Sequence, residues 1–367
     1  MYSVRNGTQD PPWALTGGNG DGVWSWDVGT SSALDYVSAL THRERVYRLV
    51  GKCCGRGVRG YTGLTVGPNG TVWGVLNHTL LRLDSGSGRF SVTTLPTPLR
   101  TDGAPAIGLR TGQNSADLVS VSPDDSELVV GFEGAAALAR YYLTDGTPGA
   151  RPSMIALPKG YFALDIGILS DDTIGVGMER FGSNPEPELL LVHTGGRVTQ
   201  VRVADAWGVV ADGRSFLVGD YRPELVTEAG RVRAVPADFK LPRGDRWIEN
   251  GVAGGPNRLI LLPGGLIART IDNGLVEVAS RTRSKLFALP LQRYGNLPDS
   301  CLGCFPPGRS TTTTTTLVPP PKWIWERDAD QGVVNDHEGD LWILTQPPAT
   351  GIAFAEITAA QLRAAFG

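Results

Sequence analysis

Short runs of apolar and β-branched residues alternate with polar turns along most of the chain. The run from Leu64 to Val66 is followed by the turn Asn69-Gly70 and by a second run from Val72 to Val75, which contains Trp73. An Asn-Gly pair between two such runs is typical of a β-hairpin, because both central residues of a type I′ turn need positive φ angles. The segment therefore predicts two antiparallel strands joined by a tight turn.

The same pattern recurs along the chain. The second turn residue of each copy marks its position, and the markers are Gly22, Gly70, Asp125, Asp172, Gly213, Asn257 and Gly339. Most intervals between markers are roughly 40 to 55 residues, the size of a four-stranded propeller blade. We therefore predict an all-β fold, a seven-bladed β-propeller, with six or eight blades left open because the first copy is degenerate.

One long interval separates the last two copies. It contains a Cys-, Thr- and Pro-rich segment at about residues 289–323, with six consecutive threonines followed by prolines. Such a composition cannot bury a core. We interpret it as an insertion before the last blade of a single propeller domain that spans residues 1–367. At the C-terminus, Thr358 precedes Gln361 by three residues, as in a capping box, and predicts a short helix.

Composition and charge narrow the class of protein. Glycine (48 residues) and proline (26 residues) are abundant, as expected for many turns between short strands. The formal net charge of −3 gives no overall field that would attract nucleic acid, and no apolar run is long enough to span a membrane. The N-terminal text also lacks the pattern of a signal peptide. We expect a monomer.

Two stretches carry a resemblance to known proteins. PNGTVWGVLNHTLLRLDSGSGRF, within 68–90, and HEGDLWIL, within 337–344, resemble the repeat of bacterial propellers such as virginiamycin B lyase-like proteins, two-component-regulator sensor propellers and gluconolactonase-like proteins. The resemblance covers most of the chain through a short, degenerate motif. It implies the propeller fold, and it does not select one activity.

Oxygen-bearing side chains precede five of the markers by seven to nine residues, where the innermost strand of each blade should begin. They are Asp117, Asp165, Asp205, Glu249 with Asn250, and Asp330. If they converge at the mouth of the central channel, they would suit a hard cation such as Ca²⁺ or Mg²⁺. The resemblance to gluconolactonase-like propellers implies a divalent metal in this region, without a residue-by-residue match to a ligand set. By their positions in the repeat, Asp117, Asp165 and Asp205 are the first candidate ligands. Alternatively, Asp and Asn occur there because they favour turns.

One histidine and one glycine-rich segment give weaker indications of a functional site. His337 precedes Glu338 in a turn and is a candidate general base, as a lyase of the virginiamycin type would require. The segment 55–60, GRGVRG, matches G-x-G-x-x-G but opens no helix, so it does not predict a dinucleotide site. It belongs instead to a predicted basic loop that includes Arg43, Arg45 and Arg48.

The four cysteines occur in two pairs, Cys53-Cys54 and Cys301-x-x-Cys304. In a closed ring the first and last blades are neighbours, so disulfides between the two pairs would join the ends of the ring. Adjacent cysteines rarely bridge one another without strain. A four-thiolate zinc site and free thiols are the alternatives. Disulfides would indicate an oxidising, extracytoplasmic or secreted location.

Two functions remain open from the sequence. The first is a non-catalytic propeller, exported or at the cell surface, that binds a protein or a small ligand through loops on a rigid scaffold. The second is a divalent-metal-dependent hydrolase or lyase that acts at the channel mouth. The sequence leaves the substrate, the partner and the catalytic residues undefined.

Overall fold

A computed structural model gives the fold of the chain. The structure describes residues 2–3, 15–17, 22–27, 33–38, 41, 43–48, 63–76, 79–95, 116–132, 137–180, 186–206, 208–219, 223–235, 259–271, 275–288, 333–335, 339–345 and 353–367.

Nearly all of the described secondary structure is β-strand, arranged in antiparallel sheets that follow one another along the chain. Sheet 1 contains β2 (Leu15–Gly17), β3 (Gly22–Asp27), β4 (Ala33–Ser38) and β5 (Glu44–Arg48). Sheet 2 contains β6 (Leu64–Val66), β7 (Val72–Leu76), β8 (Thr79–Asp84) and β9 (Arg89–Thr94). Sheet 3 contains β10 (Ala116–Val121), β11 (Glu127–Phe132), β12 (Ala137–Thr144), β13 (Thr147–Pro148) and β14 (Ser153–Ala156).

The remaining sheets have the same order. Sheet 4 contains β15 (Tyr161–Ile168), β16 (Ile174–Arg180), β17 (Pro187–Val192) and β18 (Val198–Arg202), and sheet 5 contains β19 (Val209–Asp212), β20 (Ser215–Val218), β21 (Glu224–Thr227) and β22 (Val232–Ala234). Sheet 6 contains β23 (Leu259–Leu262), β24 (Leu266–Ile271), β25 (Leu275–Ala279) and β26 (Ser284–Ala288). Sheet 7 contains β27 (Val333–Asn335), β28 (Leu341–Thr345), β29 (Ala353–Ile357) and, from the N-terminus, β1 (Tyr2–Ser3).

The first strands of the sheets form a closed circuit. β2 contacts β6, and the contacts continue through β10, β15, β19, β23 and β27 back to β2. The N-terminal β1 completes the last sheet by pairing with β29, with Tyr2 opposite Phe354 and Ser3 opposite Ala353. The chain is therefore an all-β propeller in which the N-terminal segment joins the C-terminal sheet.

The core lies between neighbouring sheets, where their faces pack on one another. Trp73 of sheet 2 packs against Leu128 and Tyr141 of sheet 3, and Phe216 of sheet 5 packs against Leu189 of sheet 4. The sequence pattern predicts core positions for Trp73 and Trp342, because a large residue in the second strand of a blade fills the space between blades. Trp73 and Trp342 confirm this, because both are almost fully buried.

The hairpin turns use left-handed residues where the sequence markers predict them. Gly70, Asp125, Asp172, Gly213 and Gly339 all have positive φ angles. The predicted type I′ geometry at Asn69-Gly70 is wrong, because Asn69 does not share the positive φ of Gly70. The turn instead runs from Gly67 to Gly70 through Pro68, and the Asn69 side chain accepts a hydrogen bond from the Thr71 N–H over 2.7 Å.

The turn predicted at Asn257 is also wrong. The turn between the first two strands of sheet 6 lies at Pro263–Gly265, and Gly264 and Gly265 have positive φ angles. Both Pro-Asn and Pro-Gly-Gly are turn signals, and the second of them is the one inside the hairpin. The positions assigned to Glu249 and Asn250 were counted from the wrong turn, and both residues lie outside the described ranges.

The predicted C-terminal helix is present as α1 (Ala359–Phe366), and its capping box is complete. The Thr358 hydroxyl accepts a hydrogen bond from the Gln361 N–H, and the Gln361 side chain accepts one from the Thr358 N–H. Buried Leu362 packs with Ile357 and with residues of sheet 6, including Val276. The helix therefore covers the junction of sheets 6 and 7.

Candidate functional site at the channel mouth

One end of the ring brings together the start of each first strand and the end of each second strand. In sheet 4, Tyr161 at the start of β15 pairs with Arg180 at the end of β16. The loop that connects β18 to β19 also reaches this end, since it leads into the first strand of sheet 5. We call this end of the ring the mouth, and it is where the sequence places the candidate ligands.

Asp165 is the candidate whose geometry is described most completely. It lies within β15 and faces the next sheet. Its Oδ2 accepts a hydrogen bond from the Val209 N–H of sheet 5 over 2.6 Å, and its Oδ1 accepts one from the Ile166 N–H over 2.8 Å. Both carboxylate oxygens are therefore committed to backbone donors, and one of these bonds connects two sheets.

The protein environment shifts the acidity of Asp165. Burial raises its pKa to about 6, because a carboxylate loses solvation between two packed sheets. The two backbone N–H groups act in the opposite direction, since they stabilise the ionised form. Asp165 therefore changes protonation in a range where an ordinary aspartate stays ionised.

Asp117 and Asp165 do not occupy equivalent positions. Asp165 pairs with Gly177, whereas Asp117 falls at a bulge between Ala116 and Leu118. In sheet 4 the bulged residue lies between Ala163 and Asp165, so it precedes the aspartate, whereas in sheet 3 the bulged residue is the aspartate itself. A shift of one residue turns a side chain to the other face of a strand, so equal spacing from the turn does not predict convergence.

Glu179 and Asp205 are two carboxylates at the boundary between sheets 4 and 5, and the charge of Asp205 acts on Glu179. Asp205 is buried in the loop before β19, and Glu179 lies near the end of β16. Burial raises the pKa of Glu179, and the nearby charge of Asp205 raises it further. Sequence reasoning found Asp205 and missed Glu179, because a glutamate at the end of the apolar strand IGVGMER looks like an ordinary strand terminus.

Close packing holds this part of the mouth together. A Cβ atom on Gly177 would lie 2.3 Å from the Ala206 carbonyl oxygen and 3.0 Å from Val209 Cγ2. Only a residue without a side chain lets β16 approach the β18–β19 loop this closely. Gly177 therefore permits the close approach of β16 to the loop that contains Asp205.

The described part of the mouth does not fit a metal ion. Among the described residues, no three His, Cys, Asp or Glu side chains form a group that would hold one. Both oxygens of Asp165 already accept hydrogen bonds, whereas Ca²⁺ takes six to eight oxygen ligands. The side chain of Asp117 and the whole of Glu249, Asn250, Asp330 and His337 lie outside the described part, so the Ca²⁺ or Mg²⁺ site stays a prediction.

The cysteine and insertion predictions also fall outside the described ranges. They concern Cys53, Cys54, Cys301, Cys304 and the segment 289–323. Their disulfide pairing, and the location inferred from it, stay predictions. No helix among the described residues is long and apolar enough to cross a membrane.

At the opposite end of the ring, charged side chains form ion pairs and hydrogen bonds with other groups of the protein. Glu127 and Arg140 form a buried, two-point ion pair within sheet 3, in which Arg140 Nε donates to Glu127 Oε2 over 3.0 Å. The Arg140 guanidinium lies 5.1 Å from the centre of the Tyr142 ring.

Two aspartates in the turns at this end accept hydrogen bonds from the backbone. The side chains of Asp124 and Asp171 each accept a hydrogen bond from the backbone N–H group two residues later. These aspartates behave as turn residues.

Comparison with known proteins supports the fold. Neither models of protein families nor curated protein sequences match the chain. Among solved structures, the WD40 repeats of RRP9 match 97% of this chain and 96% of theirs at 9% identity, with a TM-score of 0.59. The WD40 β-propeller domain of Doa1 matches 98% of each chain at 10% identity, with a TM-score of 0.55.

A third structure gives a partial match. A protein from Lactobacillus plantarum matches 76% of this chain and 84% of its own at 16% identity, with a TM-score of 0.50. The propeller is thus shared with WD40 proteins. At these identities the comparisons establish the fold alone, and they do not single out the bacterial propellers that the repeat motif resembles.

Proposed function

We propose that the chain is a seven-bladed propeller that serves as a binding scaffold and acts through its surfaces rather than through a reaction at its mouth. The blade number follows if each of the seven described sheets is one blade, as the circuit of first strands suggests. The all-β ring provides a rigid frame, and rigid frames that carry exposed loops and edges suit binding.

This proposal rests on the hydrogen bonds that Asp165 accepts. Each carboxylate oxygen has two lone pairs, so one hydrogen bond does not by itself exclude a ligand. Both oxygens of Asp165 nevertheless accept backbone hydrogen bonds, and the bond from Val209 joins neighbouring sheets, so the packing of sheets 4 and 5 fixes the orientation of this carboxylate. This supports a structural role for the mouth carboxylate that is described best.

The alternative is a metal-dependent hydrolase or lyase at the mouth. The raised pKa of Glu179, caused by burial and further by the charge of Asp205, favours it, because a carboxylate with a raised pKa suits proton transfer. Calorimetric titration of the full chain with CaCl₂ and then MgCl₂ separates the two functions. We expect no saturable heat. Saturable binding that is lost in Asp205→Asn and retained in Asp212→Asn, an exposed aspartate elsewhere on sheet 5, would overturn the scaffold proposal and support the enzyme.

A further inference from the structure

Two buried N–H groups between sheets 2 and 3 have no hydrogen-bond acceptor. They are Trp73 Nε1 and Arg82 Nε, and neither has a partner among the described residues. Trp73 is only 1% exposed, so bulk solvent does not hydrate its indole nitrogen. Buried polar groups are nearly always hydrogen-bonded, and an exception indicates a bound water, ion or ligand. We call Trp73 and Arg82 together the seam donors.

The strand register places the seam donors side by side. Trp73 of β7 is directly opposite Arg82 of β8, so the two side chains project from the same face of sheet 2. This face packs on sheet 3 through Leu128 and Tyr141. The Arg82 guanidinium carbon lies 5.9 Å from the centre of the Trp73 ring. The two unpaired N–H groups therefore lie in one small region, at the end of the ring opposite the mouth.

Arg82 reaches across to a turn of sheet 3. A Cβ atom on Gly146 would lie 3.0 Å from Arg82 Nη2, so a glycine at this position leaves room for the guanidinium. Asp145 and Gly146 both have positive φ angles and connect β12 to β13 in a tight turn. Arg82 itself is partly exposed, so a ligand can reach its guanidinium from solvent beside this turn.

The charge of Arg82 has no carboxylate partner. Within the described part of the chain, Arg82 forms no ion pair. Asp84, two residues later on the same strand, directs its carboxylate to its own turn. Its Oδ1 accepts a hydrogen bond from the Gly86 N–H over 3.0 Å, and its Oδ2 accepts one from the Ser87 hydroxyl over 2.7 Å. Arg82 is therefore unusual, because a buried charge is normally paired.

Sheet 3 shows how the same chain neutralises another arginine. Arg140 also lies on the third strand of its sheet and is buried. Its Nε donates to Glu127 Oε2 over 3.0 Å, and its Nη2 donates to Glu127 Oε1. The residue opposite Arg82 is a tryptophan, whose side chain donates hydrogen bonds and accepts none. The seam donors thus combine a positive charge with two donors and lack the acceptor that Glu127 provides in sheet 3.

A bound water molecule explains only part of this arrangement. Water would accept hydrogen bonds from the two N–H groups, but it would leave the charge of Arg82 unbalanced. An oxyanion meets both requirements, because its oxygens accept N–H bonds and its charge neutralises the guanidinium. Carboxylate and phosphate groups share this chemistry, and arginine is suited to both.

We infer that the seam donors bind a small oxyanion, a carboxylate or a phosphate group, between sheets 2 and 3. Arg82 provides the positive charge and hydrogen bonds, Trp73 donates through its indole N–H, and the Trp73 ring supports the guanidinium. This site lies at the opposite end of the ring from the mouth. The inference therefore goes beyond the proposed scaffold function and does not depend on it.

Calorimetric titration of the full chain tests the inference. The probes are sodium phosphate and sodium acetate, each added separately in a phosphate-free buffer that contains EDTA. We expect saturable heat with phosphate, with acetate or with both, and the comparison identifies the preferred group. Arg82→Gln should weaken this binding at least about tenfold, because it removes the charge. The matched control, Arg281→Gln, changes an exposed arginine in a turn of sheet 6 and should bind as the wild type does.

The tryptophan provides a second, independent measurement. Trp73→Phe removes the indole N–H and keeps an aromatic ring beside Arg82, so it should weaken binding at least about threefold without changing the charge. In protein labelled with ¹⁵N-tryptophan, the indole signal that is missing from Trp73→Phe belongs to Trp73. We expect this signal to move when the anion is added to the wild type and to stay in place in Arg82→Gln.

Three outcomes would overturn the inference. The first is the absence of saturable heat with both anions, which would leave water as the partner of the seam donors. The second is equal affinity in the wild type and in Arg82→Gln. The third is an indole signal of Trp73 that does not move in a titration that does produce heat, since the anion would then bind elsewhere. Because EDTA removes divalent metals, none of these results depends on the calcium and magnesium titration that tests the scaffold function.

Discussion

Asp125 of sheet 3 accepts a hydrogen bond from the Asn69 N–H of sheet 2 over 2.9 Å. Its carboxylate lies directly over Gly67, where a Cβ atom would come within 2.2 Å of Asp125 Oδ1. Asp165 and Val209 make the same kind of contact between sheets 4 and 5. Carboxylates that bind a backbone N–H of the neighbouring sheet are thus a recurrent way of joining the blades in this propeller.

Adding a methyl group at Gly67 tests the contact with Asp125. We expect Gly67→Ala to destabilise the protein by about 1 to 3 kcal/mol, the usual cost of overpacking. In the Asp125→Ala background the same change should cost less, because the obstructing carboxylate is gone. A double-mutant cycle of unfolding free energies in urea measures this coupling. Additive effects would show that the two residues do not touch.

The pKa of Asp165 predicts a pH dependence of stability. The folded pKa is about 6, whereas an unfolded aspartate titrates near 4, so the native state binds more protons between these values. The contribution of Asp165 to stability is therefore fully present below about pH 4 and is lost as the pH rises through 6.

A comparison with Asp165→Asn isolates this effect. Between pH 5 and pH 7.5, the unfolding free energy of the wild type should fall by about 1 kcal/mol more than that of the variant. This is less than two full pKa units would give, because only about one unit of the interval between the unfolded and folded pKa values lies above pH 5. Chemical denaturation at both pH values measures the difference. Parallel pH profiles would contradict the assigned environment of Asp165.

Gly177 offers a test of the packing between sheets 4 and 5. Gly177→Ala places a methyl group against the Ala206 carbonyl oxygen and Val209, and we expect it to destabilise the protein by about 1 to 3 kcal/mol. Gly149→Ala is the matched control, because a Cβ atom there meets only ordinary contacts. Thermal unfolding of both variants measures the effect. Equal melting temperatures would be inconsistent with the close approach of the two sheets.

Local sequence signals predicted the fold well because each of them has a local physical cause. The positive φ angles at Gly70, Asp125 and Asp172 follow from residues that tolerate the left-handed region. The capping box at Thr358 depends on two side chains three residues apart. Local signals fail where two turn signals lie close together in the sequence. In sheet 6 the marker Asn257 was chosen, but the hairpin turn lies at Pro263–Gly265.

The candidate site was less predictable because it depends on contacts between sheets. Counting residues from a turn cannot detect the bulges near Asp117 and Asp165, although each bulge changes the face to which a side chain points. The hydrogen bond from Val209 to Asp165 joins residues 44 positions apart in the sequence. Glu179 was missed for the same reason, since Asp205, whose charge raises its pKa, lies in the loop that leads into the neighbouring sheet.

Whether the four cysteines form disulfides or remain free thiols is tested separately. We expect disulfides between the Cys53-Cys54 pair and the Cys301/Cys304 pair, because sheets 1 and 7, which border these segments, are neighbours through the contact of β2 with β27. A thiol count on denatured, unreduced protein should then find no free thiols, and the same count after reduction should find all four. Four free thiols before reduction would contradict the disulfides and the extracytoplasmic location inferred from them.

Closure of the ring is the central claim, and an engineered disulfide between Ser3→Cys and Ala353→Cys tests it most directly. These residues are opposite one another where β1 pairs with β29, at a Cα separation of about 4.5 to 5.5 Å that a disulfide can span. Under mild oxidation, peptide mapping by mass spectrometry should find residues 3 and 353 linked within one folded monomer. The control, Ser3→Cys with Ala137→Cys of sheet 3, should stay unlinked. A folded chain without the 3–353 link, or with equal linkage to residue 137, would contradict the closed ring.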